Sequence, residues 1–399
     1  MSKFFYPLIE NPFSNNDISE GINVLRSKQL TMSKKTTDFE KDFSRSLKSK
    51  YSLMVNSGSS ANLMALQCLI NPYRKNRLKK GDEVIIPTLC WSTSLWPIIQ
   101  SNLKPIFVDI NPLTLNIDEN QIGKKINKRT KAILLVHVLG NSCDMDQIMR
   151  IKKKYNLLLI EDTCESLGSK YKDKFLGTFG EFSSYSFYSS HQISSGEGGM
   201  VCCKDKTDYN IIKSLRSHGW SRGTMFENEI YKKNKTLDKR FIFFNSGYNL
   251  RPTEVSAAIG HNQFKRLDKF IKIRNYNRKK IISSIKDNSL LNKKIDFYYE
   301  NKNVTPSWFG LSIKLMRSDK KYKYKIIKRL EKNGIETRPI ISGNFTQQPG
   351  AKKYQLINNQ KFPNTDLVYD KSFFIGLPTK KIDNIFLNKI VSAFEKSFK

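Results

Sequence analysis

A single histidine, His191, sits in the polar run Ser189-Ser190-His191-Gln192, between the strand-like Ser186-Phe187-Tyr188 and a glycine-rich return, Gly196-Glu197-Gly198-Gly199, into the apolar Met200-Val201-Cys202-Cys203. An imidazole titrates near neutral pH and can therefore remove and return protons. The glycines permit positive φ and close backbone approach, so such a loop can pass beside a bound ligand. The same residues also describe an ordinary tight turn carrying a surface histidine, and this stretch alone does not separate the two.

Further candidates follow strand-like runs. Tyr51-Ser52-Leu53-Met54-Val55 leads through Asn56-Ser57-Gly58-Ser59-Ser60 into an apolar helix. A helix start exposes unpaired N–H groups at the positive end of the dipole, and hydroxyls add donors, so a phosphate fits there. Ser57 or Ser59 serves equally as a plain N-cap. In Pro87-Thr88-Leu89-Cys90-Trp91-Ser92-Thr93-Ser94, Trp91 either stacks on a flat aromatic ligand or fills the core. The strand ending Leu159-Ile160-Glu161-Asp162 continues as Thr163-Cys164-Glu165, where Glu165 is also readable as an acid stabilising a helix N-terminus. His218, in Arg216-Ser217-His218-Gly219-Trp220, and Asn249, in Gly247-Tyr248-Asn249-Leu250-Arg251-Pro252, complete the set; a structural histidine and a turn residue are their plain alternatives.

The elements that must hold these residues show in the pattern. Strand-like runs at 82–87, 105–109, 131–138 and 157–162 alternate with helical stretches, which predicts an α/β fold with a mostly parallel sheet covered on both faces. Ligands of such sheets gather at the carboxyl ends of the strands, where the candidates fall. Phe39, Phe43 and Leu47 recur every four residues and predict a packed helix over 38–47. Residues 1–35, punctuated by Pro7, Pro12 and Gly21, read as an N-terminal arm leading into a short helix. Residues 36–260 read as a large domain, and a basic helix from about His261 to Lys286 leads into a smaller domain ending at 399. The polar, charged and aromatic stretch 221–245 is expected to cover the site or to meet another subunit.

With 399 residues and 39% hydrophobic content the chain can bury a substantial core. The runs Ala132 to Leu139 and Leu157 to Ile160 are too short to cross a bilayer, and Met1-Ser2-Lys3-Phe4-Phe5-Tyr6-Pro7 lacks the apolar region of a secretory signal, so a cytoplasmic protein without a membrane partner is expected. Six cysteines without a C-x-x-C pair predict reduced thiols and no metal site. A net charge of +33 attracts polyanions in general, but the lysines are scattered among Asn and Ile and form no single basic block interleaved with aromatics. No nucleic-acid partner is expected.

The Ser186 to Met200 stretch resembles the cofactor-lysine segment of the DegT/DnrJ/EryC1/StrS sugar aminotransferases, in which a Ser-Phe motif precedes a lysine and a Gly-Glu/Asp-Gly-Gly run. His191 stands at the lysine position, a departure that marks the family's dehydratase branch, the pyridoxamine-dependent nucleotide-sugar 3-dehydratases. The likeness covers roughly residues 20 to 390 and takes in Pro306-Ser307-Trp308-Phe309-Gly310 and Glu336-Thr337-Arg338-Pro339-Ile340.

The resemblance implies an aspartate-aminotransferase-like fold (fold type I) with a smaller α+β C-terminal domain. It implies pyridoxal 5′-phosphate or pyridoxamine 5′-phosphate held without a covalent bond, because histidine cannot form the lysine linkage. In that likeness Gly58, Ser59 and Ser186 take the phosphate, and Trp91 stacks on the pyridine ring. Asp162 keeps the ring nitrogen protonated so that the ring accepts electrons, and Glu165 lies near the ring hydroxyl. Asn249 reaches the phosphate of a partner subunit, which makes a homodimer the minimum unit, and His218 occupies a position beside the substrate. His191 is the catalytic proton carrier. The implied reaction removes the C3 hydroxyl of a nucleotide-linked 4-keto-6-deoxyhexose, GDP-4-keto-6-deoxymannose by likeness, with L-glutamate as amino donor. The stretch 221–245 has no cysteine, which argues against an iron–sulfur cluster. An aminotransferase drawing a lysine from elsewhere, or a noncatalytic relative, are the competing readings.

Overall fold

The computed structural model describes residues 4–9, 13–317, 319–356 and 360–399. Pro12 of the expected arm lies outside them. Seven strands form the central sheet: β1 (Tyr51–Val55), β2 (Glu83–Pro87), β3 (Lys104–Val108), β4 (Thr130–Val136), β5 (Leu158–Asp162), β6 (Phe182–Ser186) and β7 (Gly199–Cys203). Their order is β1-β7-β6-β5-β4-β2-β3. The pairs β6–β5, β5–β4, β4–β2 and β2–β3 are parallel, while β7 runs antiparallel to both β1 and β6. The sheet is therefore mostly parallel, as expected, with one reversed strand.

Alternation along these strands builds a core on each face. Ile86, Leu134 and Ile160 pack to one side with Met64 and Leu66, whereas Ile85, Ile133 and Leu159 pack to the other with Met145 and Ile148. Helix α2 (Lys34–Leu47; α1 is Asn15–Ser27 and α3 is Gly58–Leu69) buries Phe39, Phe43 and Leu47, the predicted four-residue stripe. Each such ring or side chain contributes roughly 1.5–3 kcal/mol by leaving water. The start of α2 is capped from afar: Glu254 accepts from the backbone N–H groups of Ser33, Lys35 and Thr36 at 2.7, 2.7 and 2.9 Å.

The basic helix expected over 261–286 is two helices, Glu254–Phe264 and Leu267–Asp287. The chain leaves helical geometry at Arg266 (φ −107°, ψ 5°), whose guanidinium reaches both carboxylate oxygens of buried Asp17 at 2.6 Å. Beyond them a three-stranded antiparallel sheet, β8 (Ile295–Phe297), β9 (Gly310–Leu315) and β10 (Ser372–Gly376), packs with helices Lys320–Lys332 and Asn384–Phe398 around Leu311, Ile313, Phe373 and Phe394. The N-terminal segment joins this unit, because the Tyr6 hydroxyl donates to the Gly376 carbonyl at 2.8 Å and the Leu8 N–H donates to Glu336 at 2.8 Å. Among the described residues no helix is long and apolar enough to cross a membrane, no cluster of metal-ligating side chains occurs, and all six cysteines are free.

Candidate active site

Four chain segments converge at the carboxyl ends of β1, β5 and β6. The first is the start of α3. Ser57 is its N-cap, with a side chain that accepts from the Ser60 N–H at 3.1 Å. That leaves Ser59 free for another task, and its hydroxyl meets that of Thr93 at 2.8 Å, on helix α4 (Ser92–Gln100). Gly58 is required by space: a Cβ there would lie 2.6 Å from Ser186 Cβ and 2.9 Å from Cys164 Sγ. Gly199, at the start of β7, is equally tight against the Ser57 backbone, where a Cβ would come within 2.4 Å of its carbonyl carbon. Ser186 ends β6 and its hydroxyl accepts from the Tyr188 N–H at 3.3 Å.

The carboxylate of Asp162 lies at the end of β5 and is 4% exposed. Both α3 and α4 orient it: Asn62 and Ser94 donate to Oδ2 at 2.8 and 2.7 Å, and the Cys164 N–H donates to Oδ1 at 3.1 Å. Its neighbour Glu161 points to the other face of the sheet. There Glu161 accepts from the backbone of Gly177, Phe179 and Gly180 and pairs with His137 at 3.2 Å. Burial raises the Glu161 carboxyl, but His137 and the backbone donors outweigh it and hold the group below the usual carboxylate range. The period-two alternation of a strand thus gives two adjacent acids different work.

His191 lies in the connection from β6 to β7, as the sequence suggested. Its Nδ1 is 2.6 Å from the carbonyl oxygen of Cys164. A carbonyl only accepts, so Nδ1 carries the hydrogen and Nε2 is left as the basic nitrogen. The ring meets Phe309 edge-on at 5.1 Å between centroids. Desolvation pushes the imidazole down to about 4, the Cys164 bond and the Asp162 charge oppose it, and the Arg274 charge adds to the fall. The side-chain amide of Gln192 ties the turn down by donating to the Glu165 and Ser307 carbonyls.

Glu165 is half-buried and accepts from the Leu139 N–H at 2.8 Å. Burial raises its carboxyl to about 7, with the Asp162 charge adding to the rise and the Leu139 bond opposing it. Trp91 is the N-cap of α4 and is 57% exposed, so the core-filling alternative is excluded and the indole is open to a ligand. The structure thus brings Gly58, Ser59, Asp162, Glu165, Ser186 and His191 together, with Trp91 at the edge.

His218 and Asn249 lie on an adjoining strip, which meets the turn before α3 where the Asn56 N–H donates to the Leu250 carbonyl at 3.1 Å. The His218 N–H donates to the Tyr248 carbonyl at 2.7 Å, and the imidazole packs on Trp220 at 5.1 Å. The residue adopts left-handed backbone geometry, φ 60°. Asn249 is exposed and accepts from Arg251 at 3.2 Å. Among the described residues no hydrogen bond joins either side chain to the Asp162–His191 group. The sequence reading missed Asn62, Thr93, Ser94 and Arg274. The hydroxyl run Ser92-Thr93-Ser94 at a helix start was the signal for two of them. Asn62 and Arg274 left no local sign.

The DegT/DnrJ/EryC1/StrS aminotransferase family profile matches residues 13–392. The GDP-4-keto-6-deoxy-D-mannose 3-dehydratase of Escherichia coli O55:H7 is 35% identical over 374 residues, 93% of this chain and 95% of that protein. A solved structure of the E. coli GDP-4-keto-6-deoxy-D-mannose-3-dehydratase with bound hydrated PLP has a TM-score of 0.90 at 33% identity, covering 98% of this chain and 100% of the other. A further structure of GDP-4-keto-6-deoxymannose-3-dehydratase, with a trapped PLP-glutamate geminal diamine, has a TM-score of 0.89 at 33% identity and covers 99% and 100%. With the profile spanning almost the whole length and one reversed strand closing a parallel sheet beside His191, the chain belongs to the DegT/DnrJ/EryC1/StrS aminotransferase family.

Proposed function

We propose that this chain is a pyridoxamine 5′-phosphate-dependent 3-dehydratase of a nucleotide-linked 4-keto-6-deoxyhexose, acting in the cytoplasm as a homodimer. GDP-4-keto-6-deoxymannose is the substrate that its relatives' names support, and L-glutamate is the amino donor that the PLP-glutamate structure of a relative supports. One observation carries the reading: where the family's aminotransferases keep lysine, this chain has an imidazole whose Nδ1 hydrogen is committed to the Cys164 carbonyl. Such a group moves protons and makes no stable covalent bond to the cofactor.

The residues present fit a phosphorylated pyridine. The first turn of α3 offers backbone N–H groups beside a glycine with no room for a Cβ, and the Ser59 and Ser186 hydroxyls add donors. Asp162, aligned by Asn62 and Ser94, is built to hold a ring nitrogen's proton, and the open Trp91 indole offers a stacking face. Glu165 would lie near the ring hydroxyl. Exposed Asn249 is suited to reach the phosphate in a partner's site, and His218 to approach the sugar. The cofactor is assigned to the domain 36–260, between an N-terminal arm, 1–35, and the smaller domain 261–399 in chain order.

When bound, the cofactor supplies an amine for the sugar ketone and a ring that accepts electrons. His191 is neutral at pH 7, so Nε2 is ready to take a proton from carbon. The imidazolium so formed is a strong acid for its type, because burial disfavours its charge, and it gives that proton to the hydroxyl oxygen leaving C3.

The test is mass spectrometry of GDP-4-keto-6-deoxymannose incubated with the protein, pyridoxal phosphate and glutamate. The expected product is lighter by one oxygen, retains no nitrogen and appears with ammonia. A nitrogen-bearing sugar would establish the aminotransferase reading. A covalent cofactor adduct after borohydride treatment would sink the role given to His191.

A further inference from the structure

Arg274, on the helix Leu267–Asp287, is buried to 8% exposure. Its Nη2 donates to the backbone carbonyl of His191 at 3.2 Å. Its Nε and Nη1 are buried without a hydrogen-bond partner, and among the described residues no carboxylate lies within ion-pair distance of it. Buried guanidinium groups are ordinarily paired, because an uncompensated charge in the interior is strongly disfavoured. Other buried arginines follow that rule: Arg216 pairs with Glu40 at 2.6 Å, and Arg278 lies 3.8 Å from Glu300 and stacks on Trp308 at 4.0 Å. Arg274 is the exception, and it is the one that touches the His191 turn.

We infer that Arg274 is a positioning residue for His191: it fixes the residue's carbonyl while Cys164 fixes its ring, and it sets an unneutralised positive charge behind the imidazole. The inference rests on the proton-carrying role proposed for His191. The groups that face the ring are the Asp162 carboxylate and the Cys164 carbonyl from the β5 side, Glu165 beside Gln192, the Tyr188 phenol with ring centroids 6.5 Å apart, and Arg274 from the helix; Phe309 is apolar. Asp162 attracts a proton to His191, and Arg274 repels it. Desolvation already makes the imidazole a reluctant proton acceptor, and Arg274 adds to that against the pull of Asp162, so the ring gives a proton up readily, which is what a carrier between a carbon and a departing hydroxyl requires. A lysine at 191 would place a second cation against Arg274, so the arginine also suits a neutral imidazole better than an ammonium.

The chain has four histidines, so their ring protons can be resolved by NMR, with His191→Asn identifying the resonance. The titration of His191 is followed in cofactor-free protein for the wild type, Arg274→Lys and Arg274→Gln. Arg274→Gln is expected to shift the midpoint upward by about one pH unit, and Arg274→Lys, which keeps the charge, to leave it near the wild type. In turnover, Arg274→Gln should lower kcat more than it changes KM. Equal midpoints in all three proteins, or an equal shift in both variants, would overturn the inference; if Arg274→Gln does not fold, a shift in Arg274→Lys as large as one unit overturns it alone. The NMR result does not depend on which sugar is dehydrated, so failure of the proposed reaction and failure of the Arg274 role are separately visible.

Discussion

Glu165 is placed to report how dry the site is. Its carboxyl stands at about 7, against an ordinary value of 4.5, chiefly because burial disfavours the charge. An acid whose folded value is raised keeps its proton in the native state over a window where the unfolded chain has lost it. Native stability from this group is thus fully present below about pH 4.5 and is lost as pH rises through 7. The displacement of 2.5 units corresponds to about 3 kcal/mol, reduced to roughly 1–2 kcal/mol because the side chain is only half-buried and partly screened. Glu165→Gln preserves the shape and the acceptor for the Leu139 N–H but cannot ionise. Relative to the wild type it should therefore gain about 1–2 kcal/mol between pH 5 and pH 8. The measurement is the difference in urea midpoint between cofactor-free variant and wild type at both pH values and equal ionic strength; titrations shared by the two proteins, including that of His191, cancel. The wild-type carboxyl stretch in infrared difference spectra should titrate near 7. A variant-minus-wild-type difference independent of pH, with the stretch disappearing near 4.5, would refute the assignment of a desolvated site.

Other outcomes follow from the same geometry. Because His191 is neutral down to about 4, kcat/KM should hold its acid side well below the 6.5 of a free imidazole, and His191→Asn should lower turnover by about 10²–10⁴-fold while cofactor uptake, read by absorbance, persists. Gly58→Ala forces a carbon to within 2.6 Å of Ser186 and should weaken cofactor binding by the ~1–3 kcal/mol typical of overpacking, measured by titration with pyridoxal phosphate. Ser94→Ala removes one of two donors on Asp162 Oδ2 and should weaken cofactor binding by about 1.5–3 kcal/mol; unchanged affinity would show that Asp162 does not need the α4 contact. Phe43→Ala, in the α2 stripe against Tyr185 and Phe187, should cost about 3–5 kcal/mol of stability, read by denaturation.

Strand and helix positions were legible because their periods are local: the expected runs 82–87, 105–109, 131–138 and 157–162 each lie within two residues of an observed strand. The helix expected over 261–286 was not read correctly, because its break at Arg266 is set by Asp17, some 250 residues earlier in the chain. Trp91 was ambiguous for a similar reason, since exposure is a property of what fails to cover a side chain.

By itself the sequence determined that an imidazole stands at 191, that glycines flank the approach to it, and that acids end the strand at 162. It could not say which imidazole nitrogen is basic, which of Glu161 and Asp162 faces α3, or that Arg274 lies behind the turn. Those depend on a carbonyl 27 residues away, on the face each strand residue presents, and on a guanidinium 83 residues distant. Local pattern reports residue type and backbone period; hydrogen-bond direction and the field at a nitrogen are fixed only when distant segments are packed together, because a hydrogen bond needs contact and a charge acts strongly only where packing brings it close and excludes water.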